Sequence, residues 1–376
     1  MNDSENVLIV ADSDRDANML YAVGMFTPDP FIYFRVDGKS HIVVTDLEVE
    51  RARKKAAHCR VLSYNQCMEK LGRKSKQPGM AKVINLLFRE RHLRKVFVPA
   101  NFPHGLAREL RNYKIKVRVK KGGVFPQREF KTPEEVKKIS GALMMAEVGL
   151  AEGIQALKTS KIQKDGKLTY HGVPLSSEKL RGIIETAIVQ AGGMPCHTIV
   201  AGGRQGCDPH ETGHGPLRAN EPIVLDVFPR SSKTGYFGDI TRTVVRGRAS
   251  EAARKAYDTV ARAQEIAFEQ LKPGMRAAQV HKSVEEFFES QGFKTCRKSG
   301  RAQGFFHGTG HGLGMELHEP PRLGVNSTDI LAAGHVVTIE PGLYYSEMGG
   351  IRLEDVAAIT AQGPKNLTKF EKTLEV

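Results

Sequence analysis

Residues 119–136, VKKGGVFPQREFKTPEEV, divide the chain into two parts with different periodicities. Gly122, Gly123 and Pro126 break any regular pattern. Thr132, Pro133 and Glu135 then open a helix: Thr132 can cap it, Pro133 suits its first position, and Glu135 completes a capping box. Upstream, β-branched or aromatic runs at 7–10, 31–34, 41–45 and 96–98 read as strands. Helix-like stretches at 14–23, 46–57, 80–91 and 104–112 alternate with them, and Pro28, Pro30, Asp37 and Gly38 punctuate as turns. That alternation predicts an α/β domain. Downstream, Val136, Ile139, Leu143, Ala146, Leu150, Ile154 and Leu157 recur at three or four, predicting one long amphipathic helix. Further helices are expected over 177–191 and 252–271, the last stopped by Pro273 and Gly274. The remainder of the second half reads as strands and glycine-rich turns. The expected domains are 1–128 and 129–376, a natural division for 376 residues.

Composition closes off several classes. With 40% hydrophobic and 26% charged residues the chain can build a core, which excludes a disordered or fibrous protein. No apolar run approaches the ~18 residues a membrane span needs. The opening MNDSENVLIVADSD is too acidic and polar for a secretory signal. Five cysteines, odd in number and without metal or redox spacing, read as reduced thiols. A cytoplasmic protein is expected. The net charge of +14 is concentrated: residues 51–130 hold 22 Lys/Arg against 4 Asp/Glu, in clusters such as RARKK (51–55), GRKSK (72–76) and RERHLRK (89–95). Basic stretches can steer polyanions. No nucleic-acid motif accompanies them, so a solvated surface is the expectation.

Five segments of the second half place acids or histidines where packing does not ask for them. PIVLDVF ends an apolar run with Asp226, and GYFGDITRT puts Asp239 in an expected strand. FFHGTGHGLGMELHEPP supplies His307, His311 and His318. VVTIEPGLY sets Glu340 at a strand end, and GIRLEDVAAI carries Glu354 in a strand-like run. Buried carboxylates are costly without cations. Arg242 and Arg352 cannot neutralise four of them. Two divalent ions would, with a neutral imidazole completing the shell, and such oxygen-rich ligation suits Mn, Co, Fe or Zn. His307 and His311 share the spacing of a helical HExxH zinc motif. However, position 308 is Gly, and the glycines at 304, 308, 310, 312 and 314 would each cost a helix ~1 kcal/mol, so strand and turn are expected.

The ordered series Asp226, Asp239, His311, Glu340 and Glu354, with GDITRT, GHGLGMELHE, TIEPGLY and GIRLED around it, resembles the pita-bread metallopeptidases over nearly all of 131–376. That superfamily includes methionyl aminopeptidase, aminopeptidase P, prolidase and creatinase. Residues 1–130, with MLYAVGMFTPDPFIYF, are similar to the amino-terminal domain of the Xaa-Pro peptidases. The resemblance implies a creatinase/prolidase-like α/β domain followed by an α+β pita-bread catalytic domain. It also implies hydrolysis of Xaa-Pro bonds with two divalent ions, manganese first, and a homodimer. Asp226 would hold one ion, Asp239 and Glu354 would bridge both, and His311 with Glu340 would hold the other. Glu340 would shuttle protons and His318 would steady the oxyanion. His210, in GCDPHETG, and His307 would contact substrate.

One departure concerns DVFPRSSKTGYFGD, longer than the family pattern between the two aspartates. Residues 231–235 are expected to bulge as a hairpin tip, with Arg230 either touching substrate or exposed. A dipeptidase also needs an Arg for the free carboxylate of the terminal proline. Arg322 and Arg352 are candidates, and Arg352 has the alternative of orienting Glu354. Dipeptidase and aminopeptidase both stay open. So do a non-peptide amide hydrolase and a catalytically silent member binding nucleic acid or protein through 51–130.

Overall fold

The computed structural model describes residues 5–72, 79–298 and 300–376, which form two compact units, Met1–Pro126 and Gln127–Val376. The first unit is a mixed sheet of β1 (Val7–Ala11), β2 (Phe31–Val36), β3 (Lys39–Val44), β4 (Arg60–Ser63), β5 (Lys95–Val98) and β6 (Lys116–Val119) in the order β4-β3-β2-β1-β5-β6. The antiparallel β1–β2 and β2–β3 pairs are joined to parallel β3–β4, β1–β5 and β5–β6 pairs. Successive side chains of β1 point to opposite faces, yet VLIV is buried throughout. Leu8 and Val10 belong to a core with Val83, Ile84 and Leu87 of helix α4 (Met80–Glu90). Val7 and Ile9 belong to another with Met19 and Val23 of α1 (Ala17–Val23) and Ala52 of α2 (Asp46–Lys55). A strand covered on both sides reads as a continuous apolar run rather than an alternating one.

Beside the expected elements, β4, β6 and helix α3 (Tyr64–Leu71) were not foreseen. Helix α5 (His104–Asn112) completes the unit. The RARKK cluster forms the exposed end of α2, and RERHLRK runs from the end of α4 into β5. Residues 73–76 of GRKSK lie outside the described residues.

The second unit opens with α6 (Pro133–Thr159), which has the expected capping box: Thr132 N donates to Glu135 (2.9 Å) and Glu135 N to the Thr132 hydroxyl (3.2 Å). Helices α7 (Ser177–Gln190) and α8 (Glu251–Glu269) follow. A further helix, α9 (Ala277–Ser290), replaces the strand and turn expected after Gly274. Its buried Ala277, Val280, His281, Val284 and Phe288 follow the helical spacing.

Three of this unit's sheets position the site. One is antiparallel, β7 (Ile199–Gly202), β8 (Pro222–Val227) and β9 (Ile240–Val245). Another has the order β11-β10-β12-β15-β16, from β10 (Gly310–Gly312), β11 (Glu319–Leu323), β12 (Val336–Ile339), β15 (Asp355–Thr360) and β16 (Gly363–Asn366). The third is the hairpin of β13 (Gly342–Tyr345) and β14 (Gly349–Arg352). Helices α8 and α9 pack Val260, Ala263, Val280 and Val284 in one core with Val337, Ile339, Leu343 and Ile351 of the strands. Among the described residues no helix is long and apolar enough to cross a membrane.

Candidate active site

Strand ends of the second unit converge on a cavity of about 640 Å³. Asp226, Asp239, His311, Glu340 and Glu354 all line it, as do His210, His307, His318, Arg322 and Arg352. Asp226 lies within β8, paired with Thr241 of β9. Asp239 is not inside a strand, contrary to expectation, but one residue before β9. Glu354 likewise falls in the break between β14 and β15 rather than in a strand. Glu340 follows the last residue of β12, and His311 is central in β10.

The glycines around His311 are there for close approach. A Cβ on Gly310 would land on the carbonyl of Thr338 in the adjoining β12 segment. Gly310→Ala is therefore expected to destabilise the protein by about 1–3 kcal/mol through forced backbone displacement, seen as a lower denaturant midpoint. An unchanged midpoint would show that the two strands have slack.

His311 is neutral. Burial, followed by the neighbouring His318, pushes its pKa down to about 3. Its Nδ1–H donates to the Gly312 carbonyl (3.1 Å), which leaves the Nε2 lone pair facing Glu340 Oε1 at 3.4 Å and Asp239 Oδ2 at 3.7 Å. A histidine that donates one ring nitrogen to a backbone carbonyl and offers the other is oriented as metal-binding histidines are. Asp239, His311 and Glu354 bring ligand atoms within 4.8 Å of one another. The carboxyls of Asp239 and Glu354 are held well above the usual range by burial and then by neighbouring acids. Glu340 is raised to about 7, chiefly by burial and against the pull of Arg352. Asp226 Oδ1 is buried without a hydrogen-bond partner. Clustered buried carboxylates, a neutral imidazole and an orphaned oxygen are a donor set that divalent cations satisfy.

Arg352 has a definite job, and it is not contact with Glu354. Its Nη2 donates to Asp226 Oδ2 (2.7 Å), Nη1 to the Tyr344 hydroxyl (3.0 Å) and Nε to the Thr241 hydroxyl (3.3 Å). Thr241 in turn donates to Glu354 Oε2 (2.8 Å). Because His307 Nδ1–H donates to the Gly308 carbonyl (2.8 Å), its Nε2 accepts from Tyr344 Oη (2.8 Å). His307 is neutral, its pKa lowered to about 3 by burial and then by Arg352. Tyr344 and Thr241 were not singled out in the sequence. They stand four residues after Glu340 and two after Asp239, inside the motifs that were. Arg230 is neither exposed nor in the cavity: it is buried and donates to the Gly235 carbonyl (3.1 Å). Residues between the aspartates do fold back, with Arg230 bridged to Phe237 across a turn.

His318 lies edge-on to His311, ring centroids 4.4 Å apart, and burial followed by Arg322 lowers its pKa. Its neighbour Glu319 turns away into a buried ion cluster with Lys131 (3.0 Å) and Arg128 (2.6 Å).

A chain of mixed α/β structure whose second unit gathers acids and a histidine on strand ends has the pita-bread hydrolase fold. Residues 138–361 match metallopeptidase family M24, and the chain belongs to that family. It is 32% identical over 250 residues to a Xaa-Pro dipeptidase of Pyrococcus furiosus, a match covering 66% of this chain and 65% of that relative. It is 29% identical over 287 residues to a Xaa-Pro dipeptidase of Pyrococcus horikoshii, covering 75% of each. The chain thus spans just under two thirds of the first relative's length. Its fold is also that of an X-Pro aminopeptidase from Thermotoga maritima, with a TM-score of 0.83, 21% identity, and 99% and 98% of the two chains covered.

Proposed function

We propose that this protein is a dinuclear metallopeptidase that hydrolyses the bond between an amino-terminal residue and a following proline. The observation that carries the reading is the cavity lined by Asp226, Asp239, Glu340 and Glu354, into which His311 brings its Nε2, 3.4 Å from Glu340 and 3.7 Å from Asp239. Asp226, Asp239, His311, Glu340 and Glu354 would hold the two ions. When bound, such a pair supplies Lewis-acid polarisation of the carbonyl and activation of a water near neutral pH. The resemblance to Xaa-Pro peptidases supports manganese and a homodimer.

The chain's own groups do the rest. Glu340 stands at the end of β12 and lines the cavity, so its carboxyl would move a proton between water and the leaving nitrogen. Neutral His318, beside His311, would donate an N–H to the developing oxyanion. Arg352 neutralises Asp226 and fixes its carboxylate, while His307 and His210 line the same cavity as substrate contacts. A proline amide has no N–H, so a site that acts on the carbonyl oxygen loses nothing there. Retention of all five ligand-type residues favours catalysis over a silent binding role. Purified protein supplied with Mn or Co is expected to cleave Ala-Pro or Ala-Pro-Ala and to spare Ala-Ala. No cleavage with Mn, Co, Zn or Fe would overturn the proposal.

A further inference from the structure

Helix α8 buries Ala256, Val260, Ala263 and Ala267, and beside them stands a fully buried polar side chain, Gln264. A buried amide is costly unless it is hydrogen-bonded. Gln264 Nε2 donates twice, to the carbonyl of Ile339 (2.8 Å) and to that of Leu353 (3.1 Å). Both partners can only accept, so the amide is fixed in this orientation; reversed, its oxygen would face two carbonyl oxygens. Gln264 Oε1 has no hydrogen-bond partner among the described residues, so the side chain directs all its bonding at these two carbonyls.

The peptide groups it grips are particular ones. The Ile339 carbonyl shares a planar peptide with the Glu340 N–H, which donates to the Thr309 carbonyl (2.8 Å). The Leu353 carbonyl shares another with the Glu354 N–H, which donates to the Thr241 carbonyl (3.0 Å). Each plane is thus held at both its polar groups, and Gln264 is the partner the two planes have in common. Glu340 follows the end of β12, and Glu354 falls in the break between β14 and β15. We infer that Gln264 is a positioning residue: from outside the cavity it sets the separation of the Glu340 and Glu354 backbones, and so keeps two cavity acids placed for cations. The inference rests on the metal-binding part of the reading above and extends it to a residue on a helix. Groups that orient ligands in this way typically change metal affinity by about 10–100-fold when they are replaced. A side chain that merely joined α8 to the strands would change stability and leave affinity alone. Val260, one turn earlier in the same core, is such a residue.

The test is a Co²⁺ titration of the metal-free full-length protein, followed by visible absorption, so that the readout does not depend on turnover. Gln264→Met keeps the length of the side chain and removes both donors, and the apparent Co²⁺ affinity is expected to fall by about 10–100-fold. Turnover of Ala-Pro at limiting metal should fall with it and recover as Co²⁺ is raised, with KM changed by less than about twofold. Val260→Ala is the packing control, expected to lower the denaturant midpoint with affinity unchanged. Unchanged affinity in Gln264→Met, or an equal loss in Val260→Ala, overturns the inference and leaves the peptidase reading standing. Should circular dichroism show that Gln264→Met does not fold, Gln264→Glu carries the same test, because a buried neutral carboxyl keeps one of the two donors. A smaller loss of affinity is then expected, and no loss overturns the inference. If the unaltered protein takes up no Co²⁺, the inference and the metallopeptidase reading fall together.

Discussion

Glu340→Gln is expected to lower kcat/KM for an Xaa-Pro substrate by about 10²–10⁴-fold, the range for loss of a positioned acid–base group, while leaving the fold intact. The substitution keeps the shape of the side chain and removes its charge and its capacity to pass a proton. The residue stands immediately after β12, and its carboxyl has only long contacts, with the Thr338 hydroxyl (3.5 Å) and His311 Nε2 (3.4 Å), so no short structural hydrogen bond is forfeited. Burial raises its pKa to about 7, which means that the ionised carboxylate is costly in the metal-free fold. A neutral amide relieves that cost, so the thermal midpoint of metal-free protein should hold or rise as activity disappears. Asp355, a residue beyond Glu354, shows the opposite kind of acid. Its carboxylate pairs with buried Arg242 (2.8 Å) and with Lys372 (2.8 Å), so it holds strands together rather than facing the cavity. Two measurements, turnover and melting, therefore separate the roles. Retained turnover in Glu340→Gln would remove this residue from the reaction.

Four of the cavity's carboxylates, Asp226, Asp239, Glu340 and Glu354, could be read from the chain because acids at the ends of apolar runs have no place in a core unless something positive joins them. The surroundings of those acids were less legible. Asp239 and Glu354 sit in breaks beside β9 and β15, where the hydrogen-bond ladder lapses and carboxylates can turn towards one another; residue types alone look the same in a strand. Arg352 was assigned by its proximity to Glu354 in sequence, whereas its partner Asp226 is 126 residues away. Only folding brings β14 alongside β8. Helix α9 was missed because its start carries no capping side chain and follows directly on a Pro-Gly stop. In the first unit, β6 hid behind its charges: KVRV exposes Lys116 and Arg118, as an edge strand should, and has little of the apolar signal that marked β1.

Stripping divalent metal from the protein is expected to lower its thermal stability, and by more as the pH rises. In the metal-free fold, burial and neighbouring acids raise the pKa values of Asp239 and Glu354, and burial raises that of Glu340 to about 7. An acid whose pKa is higher folded than unfolded contributes stability that is complete below its unfolded value and is lost as pH rises through its folded one. Below about pH 4 all three are protonated in both states and nothing is lost. Between there and pH 7 the unfolded chain ionises while the fold resists, and Glu340 alone accounts for a loss on the order of 3 kcal/mol. Cations in the cluster remove the resistance, because the ionised carboxylates then have partners, and their binding must release the protons the metal-free site retained. Melting curves with and without chelator at pH 5, 6, 7 and 8 should therefore diverge steadily, and metal titrations at pH 6 in buffers of different ionisation enthalpy should register proton release. Curves that stay parallel, or close up towards pH 8, would mean that the buried acids are not where the cations bind.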